Sequence, residues 1–265
     1  MVSAADIALA HRLADAAGDA IRPFFRAGFA HEAKSDASPV TEADKAGEIA
    51  IRSILDAECP HDAIIGEEYG SKSGTSSRAW VIDPIDGTVS FMAGRPIFGT
   101  LIALLEDGWP VLGVIDQCIS GERWIGAAGH ETMFNGKPVR TRSCTALAQA
   151  TLASTGPQYF DDHSAGHFMA LAASTSHKRM VWGGDCYNYG LLASGQIDLV
   201  VEAGLKLHDI AALVPVVEGA GGMMCDWNGE PLRSASLDDM AIHDVIALGD
   251  PARLDDVLEG LACNH

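Results

Sequence analysis

Basic residues are scarce in this chain: 18 lysines and arginines stand against 36 aspartates and glutamates among 265 residues, a formal net charge of -18. Phosphate backbones and anionic membranes are held through Lys and Arg clusters, so the deficit argues against a nucleic-acid or membrane-surface binder and leaves an acidic surface that favours solubility. Long apolar runs are missing too. Even the stretch from Phe98 to Leu105 ends at Glu106-Asp107-Gly108, too short to span a bilayer. Over residues 1–26 the apolar positions Ile7, Ala10, Leu13, Ala14, Ala17, Ile21, Phe24 and Phe25 fall at helical spacing. Asp6, Arg12, Asp15 and Asp19 interrupt them, as in an amphipathic helix rather than a signal peptide, so the expected location is cytoplasmic. Paired cysteines are absent. Cys59, Cys118, Cys144, Cys186, Cys225 and Cys263 are scattered with no C-x-x-C spacing, which argues against zinc or a redox dithiol and for buried free thiols, with a minor functional option kept for Cys186. Neither sequence repeats nor a low-complexity linker is present.

What is there fills a core: hydrophobic residues make up 48% of the chain, enough for one large α/β domain or two closely packed halves. The pattern predicts a helix over 4–27, a polar loop over 31–39 and a second helix opened by Val40-Thr41-Glu42-Ala43-Asp44, with Thr41 and Asp44 resembling an acidic capping box. Short strands follow at 63–65 and 79–82, separated by a Gly/Ser/Thr loop over 71–77. Stretches at 97–105, 108–115, 122–126 and 132–134, closed by the Asn135-Gly136 turn, read as a β meander. The remainder alternates: strands at 151–154, 180–182, 198–202, 223–225 and 245–248, helices at 164–173, 187–194, 209–219 and 251–261. Layered α/β architecture fits, as a single domain over 1–265 whose two halves, 1–145 and 146–265, meet near Thr145 to Ala150.

The chemistry concentrates in Asp83-Pro84-Ile85-Asp86-Gly87-Thr88, after the apolar Trp80-Val81-Ile82 and a short way past Gly66-Glu67-Glu68. Glu67, Asp83, Asp86 and Asp209 each fall at a strand end or helix start, where loops of α/β folds converge on sites. Hard cations such as Mg²⁺ take oxygen ligands, and Asp83, Asp86 and the Ile85 carbonyl between them suit such ions. Gly87 lets a ligand approach the backbone, and the amides of Gly87 and Thr88 at a helix start suit phosphate oxygens. Thr88, hydrogen-bonded to Asp44, would orient an attacking water and pass on its proton. Asp-Gly and Asp-Pro also make ordinary turns; the upstream Gly-Glu-Glu and the downstream Asp-Ile-Ala-Ala favour a site. Glu68 is evenly balanced between site and solvent.

With these residues in place the sequence resembles the inositol monophosphatase-like superfamily of Mg²⁺-dependent phosphatases over nearly its whole length. The likeness rests on Val40 to Asp44, Gly66-Glu67-Glu68, Trp80 through Phe91 and His208-Asp209-Ile210-Ala211-Ala212. It implies a layered α/β/α/β/α sandwich of the inositol monophosphatase and fructose-1,6-bisphosphatase type, usually a homodimer. It also implies two or three Mg²⁺ per site held by Glu67, Asp83, the Ile85 carbonyl, Asp86 and Asp209, a water activated by Asp44 and Thr88, and phosphate held by Gly87 and Thr88. Ser90 stands where inositol-preferring members often carry Asn, and His208 where they commonly carry Trp.

Gly184-Asp185-Cys186-Tyr187-Asn188-Tyr189-Gly190, Val200 to Lys206 and Gly113-Val114-Ile115-Asp116-Gln117 look closer to the histidinol-phosphate phosphatase branch. Histidinol phosphate carries an ammonium and an imidazole, which Asp185 and Glu202 would attract. Alone, Asp185 reads nearly as well as a helix N-cap and could do both jobs, and a solvated strand-end charge is the weaker reading of Glu202, given its closeness to Asp209 in the sequence. His208 is expected to pack beside the site rather than ligate Mg²⁺. Trp182 and Tyr189 are expected in the core, Tyr187 in the core or the pocket wall, and His163, His167 and His177 on the surface. The expected activity is hydrolysis of histidinol phosphate in histidine synthesis. Inositol monophosphate or another small phosphate monoester is the alternative substrate, and a regulatory interaction protein with incidental activity is an alternative of another class.

Overall fold

The computed structural model describes residues 2–27, 31–33, 39–232 and 243–262. Helix α1 (Ala4–Ile21) starts at a capping box: the Ser3 hydroxyl accepts the Asp6 N–H at 3.2 Å while Asp6 Oδ2 accepts the Ser3 N–H at 2.9 Å. It ends six residues short of the expected 27, passing into a single 3-10 turn at Arg22–Phe24 around Pro23. The expected loop at 31–39 instead carries strand pairing at its ends, β1 (His31–Ala33) against β2 (Pro39–Thr41). Residues 34–38 and the Thr41 side chain, with the cap expected of it, lie outside what is described. Helix α2 (Glu42–Glu58) follows.

The strands β3 (Ala63–Gly66), β4 (Gly70–Lys72), β5 (Arg78–Asp86), β6 (Gly99–Glu106), β7 (Trp109–Gln117), β8 (Glu122–Ala127), β9 (Met133–Phe134) and β10 (Lys137–Pro138) form one eight-stranded sheet in the order β10-β9-β8-β7-β6-β5-β3-β4. Helix α3 (Thr88–Met92) separates β5 from β6. The expected meander is β6 to β10, and its last turn uses positive φ at Asn135 (46°) and Gly136 (76°). In the second half, β11 (Leu152–Ser154), β12 (Met180–Trp182), β13 (Leu199–Leu205), β14 (Met223–Asp226) and β15 (His243–Leu248) make a five-stranded sheet ordered β12-β11-β13-β15-β14. Its helices are α4 (Asp162–Ser174), α5 (Asp185–Ala193), α6 (Leu207–Ile210), α7 (Leu213–Gly219) and α8 (Leu254–Ala262). The helix expected over 209–219 is broken between α6 and α7. Pro215 explains the break, because its ring collides with the carbonyl four residues back, at Ala211.

Three apolar clusters stack these elements into α/β/α/β/α. In the first, α1 and α2 lay Leu13, Ala17, Ile21, Ile51 and Leu55 on Trp80, Ile82, Ile102 and Val114 of the large sheet. In the middle, Tyr189, Leu192, Leu213 and Val217 of α5 and α7 pack between the two sheets. In the last, Phe168, Leu171, Val257 and Leu261 of α4 and α8 cover the outer face of the small sheet. Because α5 and α7 touch both sheets, the ends of β5 and β13 come to one place. Gly113 and Gly126 permit this closeness: a Cβ on either would stand 1.9 and 2.1 Å from backbone carbonyls of Ala212 and Pro215. No described helix is long and apolar enough to cross a membrane.

Several side chains depart from expectation. Trp182 is not core: it sits 44% exposed on the edge strand β12. Tyr189 is fully buried, as expected, whereas Tyr187 is half-buried with its hydroxyl donating to Glu122 Oε2 at 2.8 Å. His167 is half-buried between His163, which is exposed, and Trp227, and it bonds the Leu261 carbonyl. The side chain of His177 and all of Cys263 lie outside what is described. Cys118, Cys144, Cys186 and Cys225 are buried free thiols, and Cys59 is half-buried.

Candidate active site

Strand β5 does not stop at Ile82 but runs on through the acidic segment to Asp86. Its pairing with β6 slips there: Asp83 faces Leu101 and Asp86 faces Gly99, so one extra residue bulges between the two carboxylates. Thr100 holds the bulge by donating to the Pro84 carbonyl at 2.7 Å. Gly87 then turns the chain with φ 88° into α3, which is only five residues long. The amides of Gly87 and Thr88, expected to meet phosphate oxygens, are therefore first-turn amides, which helices leave without intrahelical acceptors, more than the end of a long dipole.

Asp83, Asp86 and Asp209 each offer a carboxylate oxygen within 4.8 Å of the others. One oxygen of each is fixed by a backbone amide: Asp83 Oδ1 by Ile85 N–H at 3.0 Å, Asp86 Oδ2 by Cys186 N–H at 2.6 Å, and Asp209 Oδ2 by Lys206 N–H at 2.7 Å. A carboxylate so anchored still has an oxygen to give a cation. Burial pushes the Asp83 carboxyl well above its ordinary value, and the charges of Glu67, Asp86, Asp209 and Asp44 push it the same way. Burial also raises Asp86, then Asp185 and Asp209 add to it, while the Cys186 hydrogen bond opposes. Asp209 is raised by burial, with His208 and the Lys206 amide pulling down and Glu67 pushing up. Carboxylates that repel one another around a shared opening, offering oxygen donors only, fit a hard divalent cation.

These residues face a cavity of about 480 Å³, also lined by Glu67, Ile85, Gly87, Thr88, Asp185, Glu202 and His208. Asp44 is buried and is not part of the lining, though Asp83 feels its charge. The expected donation from Thr88 to Asp44 gives way to another: the Thr88 hydroxyl donates its one proton to the Ile85 carbonyl at 3.1 Å, three residues back. His208 stands with Nε2 3.6 Å from Asp209 Oδ1, beside the carboxylate.

Asp185 is not a helix N-cap. Gly184 occupies that position, and Asp185 is the first residue of α5 with φ 45°, a left-handed conformation uncommon outside glycine. Its carboxylate accepts from Ser90 Oγ at 3.0 Å and leans over Gly87, where a Cβ would stand 2.6 Å from Asp185 Oδ2. Burial raises the Asp185 carboxyl, while Ser90 and the charge of Arg95 lower it. Glu202 is not a solvated charge. It is buried on β13, accepting from the Thr155 N–H at 2.8 Å, the Thr155 hydroxyl and the Tyr189 hydroxyl at 2.8 Å. Burial raises its pKa and these donors oppose the rise. Sequence reasoning did not link Ser90, Thr155 or the hydroxyl of Tyr189 to these carboxylates, since nothing in a lone Ser, Thr or Tyr marks the carboxylate it meets across the fold.

The model of the inositol monophosphatase family matches residues 4–253. The chain is 47% identical over 258 residues to the bifunctional phosphatase IMPL2, chloroplastic, of Arabidopsis thaliana, covering 96% of this chain and 74% of that protein. It is 36% identical over 225 residues to a histidinol-phosphatase of Chlorobaculum parvum, covering 84% and 86%. A solved structure of an inositol monophosphatase from Zymomonas mobilis superposes with a TM-score of 0.87 at 50% identity, covering 99% of this chain and all of that one. The chain belongs to the inositol monophosphatase family, and it is a phosphatase of that family.

Proposed function

We propose that this member of the inositol monophosphatase family is a Mg²⁺-dependent phosphomonoesterase whose substrate is histidinol phosphate. The observation that carries the substrate is the pair Asp185 and Glu202, two carboxylates that line the cation cavity without belonging to the Asp83, Asp86 and Asp209 cluster. The hydroxyls of a neutral polyol would hydrogen-bond to them but leave their charges unpaired, whereas an ammonium or imidazolium would pair with both. Glu202 has room for such a partner: three donors occupy it, and a carboxylate has about four acceptor sites.

Glu67, Asp83, Asp86, Asp209 and the Ile85 carbonyl would hold the metal. When bound, Mg²⁺ supplies a Lewis acid for the phosphoryl and leaving oxygens and acidifies water. The amides of Gly87 and Thr88 donate to phosphoryl oxygens. Because the Thr88 proton points to Ile85, its oxygen lone pairs are left to accept from the attacking water and orient it. In this reading Asp44, a buried carboxylate whose charge acts on Asp83, takes the proton of the water. A P–O bond forms to water as the ester P–O bond breaks, and the proton lost by the water ends on the leaving alcohol.

Steady-state rates on histidinol phosphate, inositol monophosphates, sugar phosphates and adenosine bisphosphate test this reading. The expected result is the highest kcat/KM on histidinol phosphate; a preference for inositol phosphate overturns the substrate and leaves the hydrolytic chemistry in place. The inositol reading has its own support in the 50% identity to the inositol monophosphatase from Zymomonas mobilis.

A further inference from the structure

Glu48 has no part in the reaction described above, yet it is fully buried one helical turn beyond Asp44 on α2. Its Oε2 accepts the N–H of Glu68 at 2.7 Å, and its Oε1 accepts the N–H of Tyr69 at 3.2 Å and the Nε of Arg52 at 2.7 Å. Arg52, a further turn along α2, donates its other arm to the Gly70 carbonyl. One buried carboxylate thus binds two successive amides of the turn after β3, and its arginine partner binds the carbonyl that closes it. The approach is so close that a Cβ on Gly66 would stand 1.9 Å from Glu48 Oε1. Glu67 lies between Gly66 and Glu68, and its own N–H is taken by the Ile82 carbonyl of β5 at 3.2 Å. Its backbone is therefore pinned on one side by the strand that carries Asp83 and Asp86, and on the other by the helix that carries Asp44.

We propose that Glu48 is a positioning residue for cation binding: it fixes the turn that aims Glu67 at the Asp83, Asp86 and Asp209 cluster. A buried carboxylate is costly unless donors surround it, and a turn that only needed closing would be satisfied by water. Glu48 holds this turn to the one helix that also carries Asp44. The proposal rests on the reading of the cavity as a cation site.

The test is calorimetric titration of Mg²⁺ or Mn²⁺ into the metal-free full-length protein, for the wild type, Glu48→Gln, Glu67→Gln and the double variant, with thermal melts of each in chelator. Glu48→Gln keeps the shape but presents an NH₂ to a backbone N–H. It should weaken cation binding about 10-fold, the usual scale for a group that orients a metal ligand, and raise the Mg²⁺ needed for half-maximal rate by the same factor. The double variant should bind no more weakly than Glu67→Gln alone, because both changes remove one ligand's contribution. Arg52→Gln, at a partly exposed site, should weaken binding in the same direction and serves if Glu48→Gln does not fold. Wild-type affinity in a folded Glu48→Gln overturns the proposal, as does a fall in melting temperature with no change in affinity. Wild-type affinity in Glu67→Gln overturns the cation-site reading itself, and the proposal with it.

Discussion

Gly87 meets two demands that a side chain would defeat: its φ is 88°, and the Asp185 carboxylate fills the place a Cβ would take. The sequence explained this glycine by the approach of a ligand, and the fold adds the approach of another part of the chain. Asp86 is similarly double: it belongs to the carboxylate cluster, and its Oδ2 accepts the Cys186 amide at the start of α5. Asp86→Asn and Thr88→Ala are expected to lower kcat by about 10²–10³-fold while melting within a few degrees of the wild type. Near-normal turnover in both would place the chemistry elsewhere. Glu202→Gln removes one charge-assisted bond to a cationic substrate, worth about 2 kcal/mol, so kcat/KM on histidinol phosphate should fall roughly 30-fold. The rate on a neutral polyol phosphate should change far less, and equal losses on both would argue that Glu202 serves structure alone.

At the scale of elements, α2 is the most economical device in the molecule. Asp44, Glu48 and Arg52 recur every fourth residue and so share one face, placing the carboxylate proposed to take the proton of the water, the proposed turn clamp and the clamp's partner in a row. The sequence showed α2 and Asp44 plainly; it did not mark Glu48, because a Glu followed four residues later by Arg is the commonest form of an exposed helical ion pair. Gly66→Ala forces a Cβ into the clamp and is expected to cost about 1–3 kcal/mol of stability, read by denaturant unfolding of the metal-free protein. Unchanged stability would mean that the turn relaxes freely and the clamp is weak. Strand β5 shows the opposite case. Its motif was legible, but its continuation through Pro84 was not, since proline disfavours a strand interior unless a bulge removes the need for its N–H.

For the whole molecule, stacking three helical layers on two sheets gathers carboxylates from the turn after β3 and from β5, α5, β13 and α6 into one cavity. Burial first, and neighbouring carboxylates next, raise the pKa of Asp83 and Asp86, and burial raises Asp209. Between the ordinary carboxylate value of about 4 and these raised values, the folded protein keeps protons that the unfolded chain has released. The unfolding free energy of the cation-free protein should therefore fall as pH rises through that window and recover as pH falls. A divalent cation competes with those protons, so the gain in Tm on adding Mg²⁺ should be larger at about pH 8 than at about pH 5. Scanning calorimetry with and without Mg²⁺ checks this, and a gain independent of pH would count against a cation bound by these groups.

The sequence by itself determined the layered α/β class and the β meander, and it marked Glu67, Asp83, Asp86, Gly87, Thr88 and Asp209 as candidates that the fold brings to one cavity, because hydrophobic period, turn residues and motif spacing are local properties of a chain. Only the tertiary structure decided that Asp185 leans on Gly87 and Ser90, that Glu202 is caged by Thr155 and Tyr189, that Thr88 gives its proton to Ile85, and that Trp182 lies outside the core. Apart from the bond of Thr88 to Ile85, three residues back, these contacts join residues separated by up to 98 positions, Gly87 to Asp185. Which carboxylate meets which donor is set by how the layers stack, and no local pattern carries that information.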